Sequence, residues 1–417
     1  MTPSYDEFIQ LCEVADKLDR IVRAMDPVKN PYVPGAGNPP PELAGRSVIL
    51  SEASVALRRL QTGKNPQSLI LVGLRGVGKT VLLNRISDIA HDFGFLPTMI
   101  EANENNSLPQ MLIPQLKKIL FAVDTIESAK QKAKYAFRVL RSFISTVTIK
   151  INDIDYGLNV APEPGTGDSG NFEVDLSDTL LAIGDAAKEA GRHICILIDE
   201  LQYVKNVEFE ALIMAIHKVN QRTLPIIFIG AGLPQILALA GESKSYAERL
   251  FKYPMIGALA PNDARVAITN PARTEGVAYS EAAIVRILET TESYPYFLQQ
   301  WAHDSWNAAQ GPTIEENDVI IATATALHSL DESFFKVRFD RCTPSERRYM
   351  RSLADLGPGS HRSGDIAERQ GVKTTSVAPV RSSLIKKGMI YSPAHGDTMF
   401  TVPMFDAYMR RVMPIIQ

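Results

Sequence analysis

The octapeptide Gly73-Leu-Arg-Gly-Val-Gly-Lys79-Thr80 limits what this chain can fold into more than any other stretch. It fits the pattern G-x-x-x-x-G-K-[ST]. An apolar run, Ser68-Leu-Ile-Leu-Val72, precedes it, and Val81-Leu-Leu-Asn-Arg-Ile86 follows. Strand, glycine loop, helix is the context the pattern needs. Background residue usage would produce the bare pattern in a chain of 417 residues on the order of 1% of the time. Gly73, Gly76 and Gly78 let the backbone curl, so that N–H groups from Gly73 through Leu74, Arg75, Val77 and Thr80 face phosphate oxygens. The helix behind them adds its positive end. Lys79 is expected to reach the β- and γ-phosphates, and the Thr80 hydroxyl to ligate Mg²⁺. A dinucleotide loop is excluded by spacing: the glycines read G-x-x-G-x-G, not G-x-G-x-x-G.

A second segment fits the first. His193-Ile-Cys-Ile-Leu-Ile-Asp199-Glu200 is a buried-strand pattern that delivers two carboxylates at its C-terminal end. Downstream of a phosphate loop, Asp199 is expected to hold the Mg²⁺ shell and Glu200 to act as general base toward an attacking water. An acidic residue next to the metal ligand marks the additional-strand ATPases, and no N-K-x-D base-reading motif supports GTP. ATP is the expected nucleotide.

The chain exceeds one ordinary core, so two to four domains are expected. Apolar content of 45% and charged content of 22% suit a soluble globular protein. No apolar run approaches the ~20 residues of a membrane span, and the acidic start, Met1-Thr-Pro-Ser-Tyr-Asp-Glu, lacks the basic head of a secretion signal. Cys12, Cys195 and Cys342 are few and scattered, which reads as reduced thiols in a cytoplasmic protein.

Strands are predicted at 67–72, 95–101, 193–198, 224–229 and 253–257, and helices at 79–92, 107–122, 176–190, 206–220 and 233–240. Apolar strands alternating with helices imply an α/β fold with a parallel sheet covered on both faces. An N-terminal helix over 5–26 leads into a Pro/Gly linker, and residues 1–44 form that lead-in. The core spans 45–260, with an insertion at about 124–175 that starts as a basic amphipathic helix and continues as an alternating run, Val147 to Val160. Residues 261–327 read as all-helical, making a lid over 261–330.

The C-terminal stretch, 331–417, reads as a winged helix-turn-helix. Thr343-Pro-Ser-Glu346 caps a first helix, Ser363–Arg369 is a second, and Thr374–Lys387 is the candidate recognition helix. Met389–Pro393 and Thr398–Val402 then pair as a wing. This stretch carries 14 Lys and Arg against 9 Asp and Glu in a chain of net charge −3, which hints at nucleic acid. Lys373, Thr374, Thr375, Ser376 and Arg381 are candidates for duplex DNA bases. Arg362, Lys386, Lys387 and His395 are candidates for its phosphates.

These motifs together resemble the AAA+-type ATPases of the origin-recognition and archaeal-ATPase/STAND group. The resemblance runs through Gly45-Arg46, the loop at 73–80, Asp199-Glu200-Leu-Gln202, the expected turn Gly230-Ala-Gly-Leu-Pro234, Arg249-Leu-Phe, and the C-terminal winged helix. It implies a P-loop NTPase core with a helical lid. It places Gly45 and Arg46 in an adenine pocket, with Pro295 nearby, and makes Arg249 a finger toward a neighbouring subunit's γ-phosphate. Two positions depart from the group. Gly230-Ala-Gly232 leaves nothing polar at the tip of the fourth strand, and Ser293-Tyr-Pro295-Tyr296 has tyrosine where an arginine is usual. The expectation is a slow, ATP-controlled switch that binds DNA, with possible homo-oligomer or protein partners. The alternative is a signalling or partner-loading ATPase whose winged helix binds protein.

Overall fold

A computed structural model of the chain describes residues 25–35, 37–148, 160–243, 247–394 and 396–414. The predicted helix at 5–26, most of the alternating run after Val147, and His395 lie outside these residues. The described chain forms two compact units. One consists of Ser47–Arg75 and Lys79–Ile256. The other consists of the described residues up to Arg46, the three residues Gly76–Gly78, and the described residues from Gly257 onward.

In the first unit, α1 (Ser47–Gln61) leads to β1 (Ser68–Gly73), α2 (Lys79–Asp92) and β2 (Phe95–Glu101). Helices α3 (Leu108–Asp124), α4 (Lys130–Thr148) and α5 (Phe172–Glu189) follow. Then come β3 (His193–Asp199), α6 (Asn206–Gln221), β4 (Ile226–Gly232), α7 (Gln235–Ser243) and α8 (Ala247–Leu250). The short strands β5 (Phe251–Lys252) and β6 (Met255–Ile256) complete it. The sheet is parallel with order β2-β3-β4-β1-β5, and β6 also pairs with β1. Every residue of β1 and β4 is buried, because helices cover both faces. Strand β4 lies between β1 and β3, so the loop-bearing and acid-bearing strands are one strand apart.

Three local departures from the sequence reading have physical causes. The fourth strand starts two residues late, at Ile226, after Pro225, which has no N–H to give a ladder. It then runs through Gly230-Ala-Gly232, which the sequence reading took as a turn. The strand predicted at 253–257 is split at Tyr253-Pro254, although the Pro254 carbonyl still accepts from Val72 N–H at 2.9 Å. Helix α5 begins four residues early, because the Asn171 side chain accepts from the Glu173 and Val174 N–H groups and caps it. The helix of the insertion is core structure: Ala133, Phe137, Leu140 and Phe143 of α4 join Leu112 and Leu116 of α3 and Leu180 of α5 in one buried cluster.

In the second unit, α9 (Pro261–Thr274), β7 (Ala278–Tyr279), α10 (Glu281–Thr291), α11 (Pro295–Ala308), β8 (Thr313–Ile314) and α12 (Glu316–Ser329) come first. This stretch is not wholly helical, since β7 and β8 pair in parallel. A π-helical turn, Leu330–Phe335, and α13 (Lys336–Asp340) lead on to α14 (Pro344–Asp355), β9 (His361–Arg362), α15 (Ser363–Arg369) and α16 (Thr374–Lys386). The chain closes with β10 (Ile390–Tyr391), β11 (Asp397–Phe400) and α17 (Phe405–Val412). The C-terminal part is thus a cluster of helices beside a three-stranded antiparallel sheet of order β10-β11-β9.

The capping box read at Thr343 is present, and it anchors this C-terminal part. Glu346 accepts from Thr343 N–H at 2.7 Å, from Lys387 Nζ at 2.7 Å and from Ser383 Oγ at 2.7 Å. Burial alone would raise its pKa, but these donors hold the carboxyl down at about 2. A depressed folded-state pKa gives stability that is present above the ordinary value near 4.5 and is lost as pH falls toward 2. A shift of that size corresponds to roughly 3 kcal/mol. Glu346→Gln is therefore expected to lower the melting temperature most above pH 5. The gap to the unmodified protein should close as pH is taken toward 2, which thermal unfolding across pH 2.5–7 would show.

Candidate functional site

The phosphate loop is positioned by β1, whose C-terminal end stops at Gly73, and by α2, which starts at Lys79. Gly76 and Gly78 have φ of +80° and +90°, which side-chain-bearing residues rarely adopt. A Cβ at Gly78 would meet no atom within 4 Å, so it is the backbone angle rather than crowding that calls for glycine there. Lys79 is buried, and its Nζ donates to the Leu74 carbonyl at 2.9 Å. Burial lowers its pKa, while the Glu200 and Asp199 carboxylates oppose that shift.

Strand β3 carries Asp199 to the same place. Thr80 Oγ1 donates to Asp199 Oδ2 at 2.5 Å, across 119 positions of sequence. Asp199 is buried, and burial raises its pKa against the Thr80 hydrogen bond. A hydroxyl and a carboxylate so close together, beside a glycine cradle and a buried lysine, fit a nucleotide's phosphates and Mg²⁺. Thr80 and Asp199 would hold the ion, which when bound neutralises phosphate charge.

Glu200 follows in the left-handed conformation, φ 53°, with its N–H donating to Asp199 Oδ1 at 2.8 Å. Its carboxylate is near enough to Lys79 to be the largest charge acting on that lysine. The left-handed backbone at Glu200 turns the chain out of the strand direction, and such conformations in non-glycine residues collect at functional sites. Arg75 donates from Nη2 to the Tyr203 hydroxyl at 2.6 Å.

Sequence reasoning missed a part for Gln202, although it quoted the residue. The Gln202 side chain donates from Nε2 to Glu200 Oε2, and its Oε1 accepts from Leu233 N–H at 3.0 Å. The two glycines of β4 make room for this turn. A Cβ at Gly230 would fall 2.4 Å from Leu201 Cδ1, and one at Gly232 would fall 3.3 Å from Gln202 Oε1. The tip of β4 is therefore not without a polar group. The carboxamide of Gln202 stands there, supplied from the end of β3. The available signal was small residues at 230 and 232 together with a glutamine two positions after Glu200.

Arg249 lies in α8, is exposed, and is not brought to the phosphate loop. The register Ser68↔Phe251 puts it level with the start of β1, whereas the loop follows the far end. A strand of that length spans roughly 17 Å.

Within the second unit, Arg46 is buried and donates from Nη2 to the carbonyls of Val77 at 3.2 Å and Gly257 at 2.6 Å. Burial lowers its pKa, and Asp263 opposes that. Arg46 thus braces the backbone of the loop, and its neighbour Gly45 sits against Asp263. Pro295 opens α11, and the next residue, Tyr296, donates its N–H to the Gly76 carbonyl at 3.2 Å. The Tyr296 ring stacks on Phe334, centroids 4.6 Å apart.

In the C-terminal part, Lys373, Thr374, Thr375, Ser376 and Lys386 are exposed, with Lys373 at the N-cap of α16. Arg362 is exposed as well. Two candidates have internal partners. Arg381 donates to Thr398 Oγ1 at 2.9 Å, Ser392 Oγ at 2.8 Å and the Asp397 carbonyl at 2.7 Å, so its guanidinium ties α16 to the hairpin. Lys387 is held by Glu346 and by the Arg341 carbonyl at 3.0 Å. Both cations serve internal packing, which sequence cannot separate from an outward role on the same helix.

Residues 42–229 match the AAA ATPase domain. The match supports nucleotide binding, and it covers the loop, Asp199 and Glu200. Residues 332–409 match a domain of unknown function, DUF8462. No curated protein matches the chain. Among solved structures, the Walker-type ATPase PABY2304 of Pyrococcus abyssi is similar in fold at 15% identity. It covers 88% of this chain and 96% of its own length, with a TM-score of 0.56. The Orc1 protein of Aeropyrum pernix, solved in complex with DNA, has 14% identity, covers 93% of this chain and 97% of its own, and has a TM-score of 0.48. Cdc6p from Pyrobaculum aerophilum has 14% identity, coverages of 94% and 98%, and a TM-score of 0.46. The fold is an α/β P-loop fold. No helix among the described residues is long and apolar enough to cross a membrane.

Proposed function

We propose that this chain binds ATP with Mg²⁺, hydrolyses it slowly, and uses the nucleotide state to control a C-terminal winged helix-turn-helix that binds duplex DNA. The observation that carries the ATPase reading is the Thr80–Asp199 contact at 2.5 Å beside buried Lys79 and strained Glu200. Lys79 binds phosphate, Thr80 and Asp199 hold the metal, and Glu200 takes a proton from the attacking water. Gly45, Arg46 and Pro295 are read as further ATP-binding residues, with Arg46 bracing the Val77 backbone. Slow turnover is read from tyrosine at position 296, where an arginine is usual, and Arg249 is read as a finger toward a neighbouring subunit of a homo-oligomer. The division into an ATPase core over 45–260, a helical lid over 261–330 and a winged helix over 331–417 accompanies this reading.

The DNA reading rests on the order helix, strand, helix, helix, hairpin, with an exposed N-terminal half of α16. The inward commitment of Arg381 and Lys387 narrows the DNA-facing set to Lys373, Thr374, Thr375, Ser376 and Lys386, with Arg362 beside them. It also favours the second reading, a module that contacts protein. A mobility-shift titration separates the two. Binding to duplex DNA should weaken steeply with salt, and the Lys373→Ala/Lys386→Ala double variant should lose at least about tenfold with a shallower salt slope. No shift at low salt, with or without ATP, would sink the DNA reading and leave the protein-binding one.

A further inference from the structure

We infer that Gln202 is a positioning residue for hydrolysis: its carboxamide links the Glu200 carboxylate to the end of β4. This rests on the reading of Glu200 as the general base. Four observations meet at this side chain. First, Leu233 N–H offers a proton at 3.0 Å, so the nearer atom is the amide oxygen. Second, with the oxygen fixed, the amide nitrogen faces Glu200 Oε2 and donates to it. Third, Glu200 is left-handed at φ 53°, so its backbone alone does not settle where the carboxylate points. Fourth, Gly230 and Gly232 have no side chains where Leu201 and Gln202 pack, so β4 accommodates this turn and little else.

The physical consequence is directional. A free glutamate side chain samples several rotamers, and a base must sit within hydrogen-bond reach of the proton it takes. The carboxamide fixes one oxygen of Glu200, Oε2, and with it the direction of the carboxylate. The anchor on the far side is a backbone N–H of the chain leaving β4, the strand hydrogen-bonded to both β1 and β3. The β4 tip and the base therefore move together. A polar group at this tip, absent from β4 itself, is supplied by Gln202.

Gln202→Met tests this, because methionine keeps the length and bulk against Gly232 and removes both hydrogen bonds. Three results are expected. kcat should fall at least about tenfold while KM and the affinity for ATP stay within about threefold. In the nucleotide-free protein, hydrogen exchange at the Leu233 amide should accelerate at least about tenfold, since its acceptor is gone. Combined with Glu200→Gln, the double variant should be no slower than Glu200→Gln alone. Should Gln202→Met fold poorly, Gln202→Leu serves, since it also lacks both hydrogen-bonding atoms, and the same loss of kcat and the same faster exchange at Leu233 are expected.

The other outcomes are separable. If Gln202→Met turns over within twofold of the unmodified protein while Glu200→Gln is inactive, the positioning role is wrong and the base stands. If the losses multiply in the double variant, Gln202 acts elsewhere and the inference is overturned. If Glu200→Gln itself turns over normally, the base assignment falls, and the role of Gln202 falls with it.

Discussion

Replacing Lys79 by alanine is expected to weaken ATP binding by at least about 100-fold, equivalent to roughly 2.7 kcal/mol. The side chain is buried at the mouth of the glycine loop, with Asp199 and Glu200 the nearest opposing charges. Its removal takes away a cation that offsets those carboxylates and that, on the proposed reading, meets the phosphates. The carboxylates would then lose that counter-charge as an anionic ligand arrives, and the loss of a charge-assisted contact in a buried site is large. Titration calorimetry with ATP and Mg²⁺ gives the number directly. Lys79→Arg should not restore it, since a planar guanidinium does not fit the space of a compact ammonium. An affinity for Lys79→Ala within threefold of the unmodified protein would remove phosphate binding by this loop from consideration.

Glu200→Gln is expected to separate binding from turnover. The side chain keeps its size and its place beside Gln202, so affinity for ATP should stay within about twofold. Turnover should drop by about 10² to 10⁴, the usual contribution of a positioned general base. Phosphate release measured at saturating ATP, beside a binding titration on the same sample, reads both quantities. Retention of normal turnover would show that another group takes the proton.

The sheet and its site were legible to different depths in the sequence. The phosphate loop and the acidic strand were readable because glycine, lysine and paired carboxylates at fixed spacing have few other uses in that context. Helix α2 and strand β2 were placed correctly to the residue, since their apolar periods are strong and their ends are marked by Lys79 and by Gly94. The Gly230-Ala-Gly232 stretch was misread because glycine signals both turns and close packing, and only the position of Leu201 decides between them. Arg381 and Lys387 looked like surface cations, because a sequence shows neither the hairpin nor Glu346 that bind them. Gln202 was visible as a letter, but its partner at Leu233 is brought close only by the sheet.

The strand order has a consequence for how this protein is made. Among the described residues, strand β1 finds its partners in β4, β5 and β6, for example Leu69 with Ile229 and Ser68 with Phe251. Every residue that could pair with it is translated after both β2 and β3. A nascent chain ending before Ile226 therefore carries an apolar strand with both hydrogen-bonding edges open. Such edges invite pairing with other chains, and contacts this far apart in sequence form slowly. The same inserted strand that lets one tip touch both halves of the phosphate site leaves the chain exposed until more than half of it has been synthesised.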